Sequence, residues 1–179
     1  MFQASGSPPV PLLIGPTAVG KTAVSLQIAQ RLGGEIISAD SRQIYQFLDI
    51  GTDKPSTKQL ADIPHHFVNE LPPDEAFSAG RFARAAESRI REVLDRENIP
   101  LVVGGSTLYI ESLVRGFSDI PDVDPEIRRE LNIRLLEKGA ESLYKELESV
   151  DPASAATMDP TKSQRIVRAL EIYHGTGNP

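Results

Sequence analysis

Cysteine is absent from the 179-residue chain, and that one absence removes disulfide scaffolds, thiolate zinc sites and cysteine nucleophiles together. It also leans toward a reducing compartment. Basic residues are in the minority, with 19 Lys+Arg against 25 Asp+Glu for a net charge of -6, so a uniformly basic nucleic-acid coat is excluded while a local basic patch is not. No apolar run approaches the roughly 20 residues that a bilayer span needs. The N-terminal MFQASGSPP has neither the basic start nor the apolar stretch of a signal peptide. No internal repeat or low-complexity tract is present. At 40% hydrophobic and 25% charged residues, the length suits one domain with a substantial core and room for a small insertion. A soluble, cytoplasmic protein with no membrane partner is expected.

What is present is an alternation of strand and helix patterns. PLLI, from Pro11, is a short apolar run, followed by a glycine-rich turn and by AVSLQIAQRL with helical spacing at Val24, Ile28 and Leu32. Gly33 and Gly34 stop that helix, and EIISAD is a second apolar run that delivers Asp40 where a strand should end. PHHFVNEL is a weaker strand candidate, and FSAGRFARAAESRIREVLDREN is a long amphipathic helix with Phe82, Ala86, Ile90, Val93 and Leu94 at apolar positions. IPLVVGGS is a third compact run, closed by Gly104 and Gly105, and TLYIESLVRGF is again helical. This order predicts an α/β fold, a parallel sheet with helices on both faces.

The texture changes after Phe117. Residues 118–160 hold eleven acidic and five basic residues and no buried-strand run, and they are punctuated by Asp124-Pro125, Asp151-Pro152 and Asp159-Pro160. Asp before Pro suits an N-cap followed by the first helical position, where proline's missing donor costs nothing. The expectation is a core domain over 1–117, a small helical insertion over 118–160 forming a well-solvated pair, and a last helix within 161–179 that returns to the core.

Gly15, Pro16, Thr17, Ala18, Val19, Gly20, Lys21 and Thr22 spell GPTAVGKT, which matches the G-x-x-x-x-G-K-[ST] phosphate-binding loop. Glycines let successive backbone N–H groups converge on phosphate oxygens, the lysine reaches the terminal phosphate, and the hydroxyl holds Mg²⁺. The following helix N-terminus adds its dipole. The match sits between an apolar strand and an amphipathic helix, as a P-loop of the nucleotide-binding kind does, but a phosphate loop alone does not choose between hydrolysing, transferring and binding a polyphosphate. An ATP-using small-molecule kinase shares it.

The usual site of this type holds its metal partly with an acid that ends an apolar strand, whereas LVVGGS ends in glycines. Asp40 is the carboxylate placed to face the loop across the carboxyl edge of the sheet, as metal ligand, general base or simple N-cap of a helix over SRQIYQFL. His65 and His66 are adjacent, so they point to opposite sides of a strand and lack acidic or thiolate partners at ligand spacing. Arg81, Arg84, Arg89 and Arg91 alternate with acids in the pattern of a solvated face. Tyr45, Phe47, Tyr109 and Phe117 are more simply core residues than stacking platforms.

GPTAVGKT, EIISADSRQIYQFLDIGTDKP, PHHF, FSAGRF, LVVGGSTLYI and QRIVRALEIY together resemble, in order and spacing, the tRNA dimethylallyltransferases, also called tRNA isopentenyltransferases. The resemblance implies transfer of a dimethylallyl group from dimethylallyl diphosphate to N6 of the adenosine beside the anticodon in the tRNA anticodon stem-loop, with release of diphosphate. It places the diphosphate on Gly15 to Thr22, with Lys21 and Thr22 contacting the leaving group and its Mg²⁺, and makes Asp40 the general base. It assigns tRNA contacts to Asp40, Ser41, Arg42 and Gln43, to Gln164, Arg165, Ile166, Val167 and Arg168, and to Ser106 and Arg128, in a chain expected to act as a monomer. The target adenine would be flipped into a tunnel lined by DSRQ.

Two departures from the family pattern stand out. GGSTLY replaces the common GGTGLY, so Ser106 keeps a hydroxyl and Thr107 adds a side chain. Family members also usually continue beyond TGNP with another strand, an arginine for the diphosphate and more tRNA-binding surface. A fragment that binds tRNA or diphosphate without turnover, and a prenyltransferase acting on free adenine nucleotides, are therefore the other readings.

Overall fold

The computed structural model describes residues 8–16, 18–116 and 123–178, which form two compact units on either side of residue 117. The first contains β1 (Leu12–Ile14), α1 (Lys21–Leu32), β2 (Gly34–Ala39), α2 (Thr57–Asp62), β3 (His65–His66), α3 (Ala79–Asp95), β4 (Ile99–Gly104) and α4 (Thr107–Arg115). The strands make one parallel sheet in the order β1-β4-β2-β3. All six residues of β2 are buried, as expected of a parallel strand covered on both faces. Successive side chains of β2 part company accordingly. Ile36 joins Leu101 and Ala29 of α1 on one face, and Ile37 joins Val102 and Phe82, Ala86 and Ile90 of α3 on the other.

α3 buries the face its spacing predicts, and Ser78 accepts a hydrogen bond from Arg81 N to cap it. Tyr109 is core, with its ring stacked on Phe82 at 4.5 Å and its hydroxyl donating to Phe77 O at 3.0 Å. Burial pushes that phenol up to about 12. Phe47, by contrast, is 82% exposed at φ 63, so the core expectation fails there, and Phe117 lies outside the described residues. α1 also differs from its apolar pattern. Val24 and Leu32 are 46% and 48% exposed, whereas Ser25 and Ala29 are buried. Small residues win this face because the helix lies close on the sheet, and a Cβ on Gly34 would sit 3.6 Å from Ala29 Cα.

The start of β2 carries a buried polar cluster. Glu35, 4% exposed, accepts hydrogen bonds from Arg96 Nη2 at 2.9 Å, Asn98 Nδ2 at 2.9 Å and His66 Nε2 at 2.6 Å. Arg89 Nη1 lies 3.2 Å from His66 Nδ1. Guanidinium only donates, so Nδ1 accepts and Nε2 carries the proton aimed at Glu35. Both histidines are thus held by the fold, His65 through its Nδ1 against Ile63 O at 2.7 Å.

In the second unit, α5 (Pro125–Val150) bends at Gly139, where φ is 76 and ψ is 169, and is followed by α6 (Pro152–Thr157) and α7 (Ser163–Thr176). Asp124 and Asp151 cap α5 and α6 as their Asp-Pro pairs predict. The third pair differs, since Asp159 closes a turn by accepting from Thr161 N at 2.9 Å and α7 begins later, at Ser163. The return of the last helix to the first unit is also corrected. α7 shares a core with α5 in which Leu131, Leu143, Leu147, Ile166, Val167 and Leu170 are each at most 2% exposed. The pairing has a simple cause, because α7's apolar stripe needs burial and the two limbs of α5 supply the leucines that meet it. Glu146 ties the limbs together, bonding Arg134 and, at 2.8 Å, His174 Nε2.

Burial would raise the Glu35 carboxyl, but the bonds from Arg96, Asn98 and His66 hold it at about 2, below the ordinary 4.5. Its contribution to stability is therefore present above about pH 4.5 and is lost as pH falls toward 2. Glu35→Gln is expected to destabilise the protein by about 3 kcal/mol at neutral pH. Urea denaturation should show the gap between variant and parent narrowing in acid, and a gap constant with pH would contradict the charged network.

Candidate functional site

Parallel pairing brings three strand ends to one edge. Ile14 is in register with Gly104, and Gly104 with Ala39, so the GPTAVGKT loop after β1, Asp40 after β2 and Ser106 after β4 leave the sheet side by side. Glycine is required between them. A Cβ on Gly104 would lie 2.2 Å from Ala39 O, and one on Gly105 would lie 2.9 Å from Gly15 O. The glycines that end LVVGGS are thus the condition for close approach of the three chain ends.

Gly20, at φ 89, is the N-cap of α1 and contributes no side-chain cap, which leaves the first-turn N–H groups of the helix to an incoming acceptor. Ala18 also has positive φ, 66, a conformation that costs a non-glycine residue strain. Lys21 Nζ donates to Pro16 O at 2.6 Å, so the ammonium lies within the loop. Thr17 lies outside the described residues. Val19 is 58% exposed, and Gly15 is half-buried beneath the loop.

Asp40 takes up none of the helix-capping role considered from sequence, because SRQIYQFL forms a run of turns and not a helix. Its Oδ1 accepts from Arg42 N at 2.9 Å and Gln43 N at 3.4 Å, which folds the chain back on itself. Ser106 Oγ accepts from Ser41 N at 3.0 Å and binds the turn to the end of β4. Gln43 is half-buried, with its Oε1 accepting from Ser38 Oγ at 2.8 Å. Arg42 is exposed. Lys21, Thr22, Ser38, Asp40, Gln43 and Gly104 line one cleft together with Asp53 and His65. Loop and carboxylate therefore open into the same space.

Two residues that sequence reasoning passed over belong to this edge. Asp53 brings its Oδ2 within 3.5 Å of Thr22 Oγ1. Lys54, whose side chain is 6% exposed, donates to Tyr45 O and Asn69 Oδ1 at 2.7 Å each and to Asp49 Oδ1 at 3.0 Å. Both stand in GTDKP, two residues beyond SRQIYQFL, and only the fold shows that Asp53 lines the cleft while the Lys54 side chain is buried.

The remaining sequence-derived contacts lie in the second unit and divide sharply. Ile166 and Val167 are fully buried in its core. Gln164 and Arg165 are exposed. Arg168 Nη1 is 3.0 Å from Glu171 Oε1 and Arg128 Nη1 is 3.6 Å from its Oε2. One carboxylate, 5% exposed, thus faces both guanidinium groups.

As a metal site the cleft offers hard oxygen donors in small number. Among the described residues no group of three His, Cys, Asp or Glu side chains gathers as a self-sufficient ligand set. The Thr22 hydroxyl at the loop suits Mg²⁺, which keeps much of its water and shares substrate phosphates in place of a protein cage. Among the described residues no helix is long and apolar enough to cross a membrane.

The IPP transferase family model matches residues 43–179. A tRNA dimethylallyltransferase of Salinibacter ruber is 56% identical over 100% of this chain and 55% of its own, and one of Chlorobaculum parvum is 53% identical over 94% of this chain and 54% of its own. Among solved structures, the full-length tRNA isopentenylpyrophosphate transferase of Bacillus halodurans is 39% identical with a TM-score of 0.59, covering 95% of this chain and 56% of that one. A eukaryotic dimethylallyltransferase acting on tRNA is 33% identical with a TM-score of 0.78, covering 96% of this chain and 43% of that one. The chain spans about half the length of the relatives it matches. With the family model reaching from Gln43 to Pro179 and relatives aligned across the phosphate loop as well, the chain belongs to the IPP transferase family.

Proposed function

We propose that this chain carries the reacting half of a tRNA dimethylallyltransferase, which moves a dimethylallyl group from dimethylallyl diphosphate to N6 of the adenosine next to the anticodon. The observation that carries this reading is the single cleft onto which Lys21, Thr22 and Asp40 all open. The allylic C–O bond to diphosphate breaks, a C–N bond to the exocyclic amine forms, and the amine's proton passes to the Asp40 carboxylate. An adenine amine is a poor nucleophile, so a base that accepts its proton as the bond forms lowers the barrier. Charge building on the departing diphosphate is met by the loop N–H groups, the α1 dipole and the Lys21 ammonium. The Thr22 hydroxyl would help to hold Mg²⁺, which would supply further positive charge to the leaving group when bound.

Ser41, Arg42, Gln43 and Ser106 line or brace the entry for the adenosine, which must leave its stack to reach Asp40. Gln164, Arg165, Arg168 and Arg128 offer polar and cationic groups to the tRNA backbone from the second unit. Since net charge is -6, such contacts act locally and not through a general attraction. The reaction belongs in the cytoplasm, with tRNA, and the chain acts in it as a monomer.

Incubation with radiolabelled dimethylallyl diphosphate and unmodified tRNA, followed by nucleoside analysis, tests donor, acceptor and sufficiency together. Labelled N6-prenyladenosine is the expected product. Transfer of the γ-phosphate of ATP to an acceptor, with no prenyl product, would instead favour a kinase. Asp40→Asn keeps an acceptor for Arg42 N and Gln43 N but cannot take a proton, so it should lower single-turnover transfer by about 100-fold or more while diphosphate binding stays near the parent value. Unchanged transfer would remove Asp40 from the base role. Lys21→Ala should weaken diphosphate binding by roughly 10- to 100-fold, measured calorimetrically, and equal affinity in the two proteins would count against the loop.

A further inference from the structure

The end of β4 is where a phosphate-loop site usually places its metal-holding acid, and here that position is sterically closed. Ala39 O and Gly15 O lie 2.2 Å and 2.9 Å from where Cβ atoms on Gly104 and Gly105 would sit. A carboxylate for the cation must come from elsewhere. The structure supplies one from the loop after β2, where Asp53 Oδ2 lies 3.5 Å from Thr22 Oγ1 and lines the same cleft as Lys21 and Asp40.

Asp53 is held from behind. Gln43 Nε2 donates to Asp53 O at 3.0 Å and to Thr52 O at 3.1 Å, while its Oε1 is fixed by Ser38 Oγ. The neighbouring Thr52 Oγ1 donates to Leu48 O at 2.7 Å, and Lys54 is bonded on three sides. Asp53 itself has φ 50, a left-handed conformation that Asp and Asn tolerate better than most residues. The loop thus spends backbone freedom to aim one carboxylate at the phosphate-loop hydroxyl.

We propose that Asp53 is the carboxylate that, together with the Thr22 hydroxyl, holds the divalent cation accompanying the diphosphate. The proposal rests on the diphosphate reading of the loop. One hydroxyl and one carboxylate leave the other positions of an octahedral ion to phosphate oxygens and water, which is how Mg²⁺ is commonly bound. Gln43 then acts as a positioning residue that links the Asp40 turn to the metal-facing loop.

The test is binding of Mn²⁺, as a paramagnetic stand-in for Mg²⁺, to the full chain in the presence of inorganic diphosphate, with metal-free diphosphate binding measured in parallel. Asp53→Asn suits the positive φ and preserves the loop, with circular dichroism as the check on folding. The expected result is Mn²⁺ affinity lowered by about 10-fold or more with metal-free diphosphate affinity unchanged or slightly raised. Mn²⁺ binding equal to the parent's would overturn the proposal and leave Asp53 as a simple hydrogen-bond partner of Thr22. A parent chain that binds Mn²⁺ but no diphosphate would defeat the reading of the loop. Loss of diphosphate affinity without metal in Asp53→Asn would show that the residue shapes the loop and does not hold the ion.

Discussion

The site depends on one close approach, that of the Ala39 carbonyl to the end of β4. It is possible because Gly104 has no side chain, and it sets the register that aligns Ile14, Gly104 and Ala39. With those three residues level, the phosphate loop and Asp40 start from the same edge. Backbone sterics, more than any attraction between side chains, bring the GPTAVGKT loop and a carboxylate into one cleft.

Around that edge the chain invests in polar bracing. Asp40 folds its own turn, Ser106 binds the turn to β4, Gln43 ties it to β2 and to residues 52 and 53, and Lys54 locks the following loop to Tyr45 and Asn69. Half-buried polar groups of this kind gain most when paired, and the pairing fixes one arrangement of a segment that has no helix or long strand to hold it. At the opposite end of β2, Glu35 performs the same service for the scaffold by gathering Arg96, Asn98 and His66. Rigid scaffold below and braced turns above are what a preorganised site requires.

Much of this was legible in the sequence because it is local. The phosphate loop is a contiguous motif, Asp40 follows an apolar run, and α3 shows its buried face through spacing alone. What escaped reading depends on tertiary neighbours. Val24 and Leu32 look like core residues until the sheet demands small side chains at Ser25 and Ala29. SRQIYQFL has a helical composition, yet the pull of Ser106 and Asp40 on its backbone leaves it in turns. α7 could not be assigned to a unit from its own sequence, because its stripe of Ile166, Val167 and Leu170 fits any apolar partner, and the partner proved to be α5. Asp53 carried no local signal, since its meaning comes from Thr22, 31 residues earlier.

β1 is three residues long and, among the described residues, pairs with β4 alone, with Leu12 and Ile14 39% and 56% exposed. Its other margin therefore presents backbone groups in the pattern that accepts an added strand. The cleft is lined from α1, β2, β3 and β4 and by the turns above them, with no residue of β1. Widening the sheet at that margin would therefore leave in place the walls that this unit gives the cleft.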